Sequence, residues 1–197
     1  GMPDAVNEYL NSHNIVKVRE VQEAIRELYG VDASRYEEDA AKKLYIRRIY
    51  DMIPSQMENK KKRIVAKDIL DRKGDRFSNY VEEFEYLINS GITIASHAIS
   101  NPKYPLAESQ QKNLLKLYMN DVGMLTSQFY HYNIQPILND IASINLGSVY
   151  ESAVAQELKA HYEKLFYYGN KQKGEVDFLV DDSGPTSVLP IEVKSGK

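Results

Sequence analysis

Near the C-terminus, a helix with Glu151 and Glu157 and two strands with Asp177, Glu192 and Lys194 hold residues that could form a hard-cation site beside a positive charge. Asp177 interrupts an apolar run at residues 176–180, and Glu192 sits between Ile191 and Val193. An acid inside an apolar strand is costly unless it is paired or used. Glu192 and Lys194 are two apart, so on a strand they share a face while Ile191 and Val193 point the other way. If the two strands lie side by side, Asp177, Glu192 and Lys194 converge. Two carboxylates beside an amine suit a hard cation, Mg²⁺ or Mn²⁺, with Asp177 and Glu192 as its ligands. The chemistry such an ion supplies is water activation and stabilisation of a charged phosphate, with Lys194 positioning the water or the developing charge. The competing reading is a structural ion pair between Lys194 and either acid.

Three elements must position these groups. A helix from about residue 147 carries Glu151 and Glu157, which at ~100° per residue flank Val154 by ~60° on opposite sides. If Val154 faces the sheet, only one of the two can lean over it; the motif match favours Glu151, which leaves Glu157 to pair with Lys171 or Lys173. Strands at residues 174–180 and 189–195 carry the remaining groups. The second is read as an interior parallel strand that normally continues into a covering helix, so the natural chain is expected to run past Lys197.

In this order, Glu151, Asp177 and Glu192-Val193-Lys194 resemble the PD-(D/E)xK nuclease superfamily, which has the restriction-endonuclease-like fold. The longer set adds Gly147-Ser148-Val149-Tyr150-Glu151, Val154-Ala155-Gln156-Glu157-Leu158, Glu175-Val176-Asp177-Phe178 and Ile191-Glu192-Val193-Lys194-Ser195-Gly196. It is similar to a C-terminal domain of unknown function found behind an AAA+ ATPase domain in many prokaryotic predicted ATPases. The resemblance implies Asp177, Glu192, Lys194 and Glu151 as the catalytic set, Glu151 being an auxiliary acid. It also implies a preceding P-loop domain. No G-x-x-x-x-G-K-[ST] occurs here, so ATP is expected only through a domain outside this chain. Residues 116–123 are similar to a K-L-Y-x-x-D-x-G segment that joins a winged helix to the nuclease-like part in that group.

A chain of 197 residues can bury one good core or two small ones. Net charge is −3, so any nucleic-acid surface must be local. With no cysteine, disulfides, thiolate catalysis and cysteine-based zinc sites are excluded, and a cytoplasmic location is the simplest expectation. No membrane span or signal peptide is expected, and Gly1 ahead of Met2 reads as the scar of a cleaved tag. The four histidines show no metal-ligand spacing, and no serine sits in a G-x-S-x-G context.

The rest of the chain reads as helices followed by a β-ribbon. Asn14 is expected to cap a second helix and Gly30 to close it. A helix over residues 36–57 is expected to break or kink at Pro54. A short element at residues 65–70, a helix from Ser78 to Ser90 ended by Gly91, and strands at residues 92–99 and 114–119 complete the order of a winged helix-turn-helix. One helix is suggested over residues 127–143. Residues 42–76 hold twelve basic side chains against five acidic ones, with Lys60, Lys61, Lys62, Arg63 and Lys67 the candidate phosphate contacts to DNA. Glu82, Glu83 and Glu85 on the would-be recognition helix oppose that role, and a solvated or protein-docking face is the alternative. The expected fold is α+β / α/β. A helical segment fills residues 1–38 and a winged-helix domain residues 39–125. An incomplete restriction-endonuclease-like domain fills residues 126–197. The function implied is the DNA-binding C-terminal part of an AAA+ ATPase with a nuclease-like site. The alternative is a regulatory docking module without catalysis.

Overall fold

A computed structural model describes residues 2–35, 37–59, 62–71, 73–129, 146–184 and 187–194. The chain is mixed α+β, a helical N-terminal part followed by a five-stranded sheet. Helix α1 (Pro3–Ser12) turns at His13, in the left-handed region, into α2 (Ile15–Asp32). Asn14 caps α2 by accepting from the Val16 N–H at 2.9 Å. Gly30 does not end α2, which runs on to Asp32. It is buried where a Cβ would meet the Arg47 guanidinium at 2.7 Å, so its smallness serves a close approach.

Helix α3 (Ala40–Glu58) starts at Asp39, whose carboxylate accepts from the Ala41 and Lys42 N–H groups. Its buried stripe of Ile46, Ile49, Tyr50, Ile53 and Met57 repeats at three- and four-residue steps. Pro54 was expected to break or kink this helix; α3 is not broken there and continues to Glu58. Ile53 and Met57, on either side of the proline, are both locked in the core. Ile53 has no exposed surface, and Ile53→Ala is expected to destabilise the protein by about 2–5 kcal/mol in urea unfolding.

Next come α4 (Lys67–Leu70) and α5 (Val81–Asn89), the latter ended by Gly91 at φ 73. The strands are β1 (Thr93–Ile99) and β2 (Gln110–Met119), then α6 (Val122–Phe129) and α7 (Gly147–His161). Finally β3 (Leu165–Asn170), β4 (Gly174–Asp181) and β5 (Val188–Ile191) form a meander. The helix suggested over residues 127–143 lies mostly outside the described residues; residues 127–129 belong to α6.

The sheet order is β2-β1-β3-β4-β5. β1 pairs antiparallel with β2 and parallel with β3, while β3, β4 and β5 are successively antiparallel. Two expectations change as a result. The strand pair expected as a free wing is instead half of this sheet, because β1 gives its second edge to β3. The boundary placed between residues 125 and 126 falls inside α6, and strands from both sides of it share one sheet. One buried cluster also runs from α3 and α5 through β1 and β2 to α6, α7 and β4. Second, β5 is an antiparallel edge strand rather than an interior parallel one, and it ends at Ile191. Glu192 and Lys194 follow it rather than lying within it.

In the helix expected to read DNA, Phe84 and Leu87 face the core while Glu82 and Glu85 are exposed. In α5, Glu83 is buried among the core residues Phe84 and Leu87, and burial pushes its carboxyl above the usual range. Glu82 pairs with Lys42.

Candidate functional site

The inner face of α7 is built from small residues. Ser148, Ser152 and Ala155 are buried at helical spacing, which lets the helix lie close to β1, β2 and β3. Glu151 occupies the same face and is buried with them. Its carboxylate has three donors. Lys116 Nζ lies 2.8 Å and the Tyr118 hydroxyl 2.6 Å from Oε1, and Lys62 Nζ pairs with Oε2. Lys116 and Tyr118 alternate along β2 and so share one face. Burial alone would raise the Glu151 carboxyl, but Lys116, Lys62 and Tyr118 together hold it below its ordinary value. The Tyr118 hydroxyl is pushed well up, first by burial and then by Glu151, so it stays protonated and donates.

Glu157 points outward. It is exposed and meets His161 at 3.2 Å, one turn on, rather than Lys171 or Lys173. The motif choice of Glu151 over Glu157 thus matches the inward and outward faces of α7.

Asp177 sits at an irregularity. Phe166 pairs with Leu179 and Tyr168 with Val176, two steps on β3 against three on β4. β4 therefore carries one extra residue beside Asp177, a bulge of the kind that re-aims a side chain. Asp177 accepts from the Val193 N–H at 2.9 Å. Burial raises its carboxyl above the ordinary range; the Val193 N–H opposes this, while Glu151 and Glu192 add to it. Phe178–Ile191 is the last pair of the β4–β5 ladder; Glu192 follows it and acts on Asp177 through space.

Glu151 and Asp177 line a cavity of about 410 Å³ together with Lys62, Arg63, Lys116 and Tyr167. Lys171 and Glu175 extend the lining, giving four cations against three carboxylates. Glu192 and Lys194 lie outside it, joined to each other at 2.7 Å and largely exposed. The structure thus brings Glu151, Asp177 and Lys116 to one cavity and leaves Glu192–Lys194 as a solvent-facing pair beside Asp177.

Among the described residues, no group of three or more acidic or histidine side chains could hold a metal ion. Asp177 and Glu192 have the donor chemistry of a Mg²⁺-type site, but Glu192 is held by Lys194 outside the cavity. Such ions keep several waters and are bound through one or two carboxylates plus substrate phosphate. Burial is the main cause of the raised Asp177 carboxyl; Glu151 and Glu192 raise it further, while the Val193 N–H and Lys116 lower it.

Of the basic candidates, Lys62 is tied to Glu151, while Arg63 lines the cavity and acts on the Tyr167 hydroxyl. Lys67 is exposed on α4, and Lys60 and Lys61 lie outside the described residues. Several other cations of residues 42–76 are committed internally. Lys42 pairs with Glu82, Arg47 with Asp51, and Arg48 donates to the Ile69 carbonyl. Sequence reasoning missed Lys116 and Tyr118 as site residues. The signal was present: Lys116 interrupts the apolar run of β2 as Asp177 interrupts β4.

Fold and site together define an α+β protein whose helical part and C-terminal meander share one acid–lysine cavity. The chain belongs to the family described as Domain of unknown function (DUF8612), whose model matches residues 1–132. Residues 146–197 match a second family model, Domain of unknown function (DUF4143). No curated protein and no solved structure matches the chain. Among the described residues, no helix is long and apolar enough to cross a membrane.

Proposed function

We propose that this chain is the C-terminal region of an AAA+ class ATPase that acts on DNA, with ATP bound through a separate P-loop domain. Its cavity takes a backbone phosphate beside a divalent cation held by Asp177 and Glu192, in the manner of a nuclease. One observation carries this reading: half-buried Asp177, its carboxyl raised, shares a cavity with Lys62, Arg63 and Lys116. A neighbouring anion and cation pair is what a phosphate with its metal presents. The sequential order of helix acid, strand acid and E-x-K supports the same reading. When bound, the cation would supply a more acidic water and charge stabilisation at phosphorus. Asp177 and Glu192 hold it, and the cavity lysines and Arg63 orient the phosphate. Arg63 and Lys67, with Lys60 and Lys61, offer further backbone contacts.

Full-length protein incubated with Mn²⁺ and supercoiled plasmid is expected to nick it, and Asp177→Ala to abolish the nicking. Plasmid left intact by the unmutated full-length protein would refute cleavage.

A second reading has its own support. Glu151 has a full set of partners, so the acids could serve structure in a docking module without catalysis. In that case, reversing charge at Lys60, Lys61 and Lys62 weakens partner binding, while Asp177→Ala leaves it unchanged.

A further inference from the structure

The motif assigns its cation to Lys194, but the geometry points to a different lysine. Among the described residues Lys194 bonds its neighbour Glu192; it also feels the Asp177 charge, but it is largely exposed and lies outside the cavity lining. Lys116 is more than nine-tenths buried, lines the cavity and sits 2.8 Å from Glu151. Its ammonium lies 5.0 Å from the centre of the Tyr167 ring, and its charge is felt at Asp177. The side chain is thus fixed from three sides: by a carboxylate, an aromatic face and the floor of β2. Lys62 reaches the same carboxylate from the other oxygen, and Arg63 borders the same cavity. A cation held in place before the ligand arrives loses little freedom on binding it, unlike a solvent-exposed lysine.

We propose that Lys116, flanked by Lys62 and Arg63, is the phosphate-facing cation of this site and that Lys194 is not. The partner is the phosphodiester backbone of DNA. A consequence is that the site is assembled from both matched regions, because Lys62, Arg63 and Lys116 lie within residues 1–132 and Glu151 and Asp177 within residues 146–197. This inference rests on the proposed phosphate-binding role of the cavity.

The test is fluorescence anisotropy of a labelled DNA duplex, with Ca²⁺ as a divalent ion, over a series of salt concentrations. Lys116→Gln alone leaves the buried Glu151 short of a partner, so Lys116→Gln/Glu151→Gln, which removes both charges, is the paired variant. Both are expected to weaken binding at least 10-fold and to reduce the slope of log affinity against log salt by about one. Lys194→Ala is expected to change affinity less than 2-fold. Circular dichroism checks that each variant is folded, and Lys116→Arg should restore most of the affinity if the double variant loses it. Equal affinity for the folded double variant and the unmutated protein would overturn the assignment, as would a Lys194→Ala loss matching that of Lys116. Absence of DNA binding by the unmutated protein at low salt would overturn it too. Binding that depends on Lys116 but ignores Ca²⁺ would uphold this inference while removing the metal from the proposed function. Binding that requires Ca²⁺ and ignores Lys116 would do the reverse.

Discussion

Glu151→Leu is expected to destabilise the protein by about 3–5 kcal/mol, the cost of removing one partner from a buried ion pair. The carboxylate is nearly inaccessible and gathers Lys116, Lys62 and the Tyr118 hydroxyl. Lys62 is partly exposed and can turn to water when its partner goes. Tyr118 cannot, and leucine would leave its hydroxyl buried without this acceptor and Lys116 without its buried counter-charge. Glu151→Gln keeps an acceptor oxygen and is expected to cost less, about 1–3 kcal/mol. Urea midpoints for the two variants should therefore fall in that order. The same contacts give a pH signature. The folded carboxyl sits below its ordinary value of 4.5, so the unfolded chain binds the proton more readily. The stability this contributes is present above about pH 4.5 and is lost as pH falls through the lower folded value. Glu151→Gln should flatten that acid limb.

Asp177→Asn has the opposite expected sign in the metal-free protein. Burial raises this carboxyl, so its charged form weighs against folding above the folded value and is relieved as pH falls. Asparagine keeps an oxygen for the Val193 N–H and carries no charge, so thermal stability at neutral pH should rise. A site that gains stability when its acid is neutralised is one kept for binding rather than for packing. Adding Mn²⁺ should reverse the ranking. At 100 times its dissociation constant, a ligand specific to the folded state adds about 2.7 kcal/mol. For a chain of this size that is roughly a 5–10 °C rise in Tm. The unmutated protein should show this rise, and Asp177→Asn should show none. A differential scanning experiment with and without Mn²⁺ reads both effects together.

Local features were legible in the sequence because their causes are local. The Asn14 cap, the Gly91 stop and the alternation of β1 each depend on a few adjacent residues. The parallel pairing of β1 with β3 was not legible: it joins Ser96 to Leu165 across the chain, and nothing in either strand's own pattern names its neighbour. That pairing turns an expected wing into part of the sheet that carries Asp177. Whether Pro54 would break α3 could not be read locally, because the core on both sides of it decides.

The site was legible in part. Glu151 was separated from Glu157 by a motif, and the helix face gives the physical reason: only Glu151 lies among Ser148, Ser152 and Ala155. Treating residues 189–195 as one strand put Glu192 and Lys194 in the same pocket as Asp177. β5 ends at Ile191, and the two side chains instead pair in solvent. Lys116 was overlooked because the test applied to acids in apolar strands was not applied to bases. Both kinds of charge are equally out of place there.

The central claim is that Asp177 is a cation ligand beside a phosphate-binding cavity. Its most direct test is a titration of Mn²⁺ into the metal-free protein, followed by the electron paramagnetic resonance signal of the free ion. One Mn²⁺ is expected to bind per chain in the unmutated protein, with that binding lost in Asp177→Asn and weakened at least 10-fold in Glu192→Gln. Equal Mn²⁺ uptake by all three proteins, or none by the unmutated one, would contradict it.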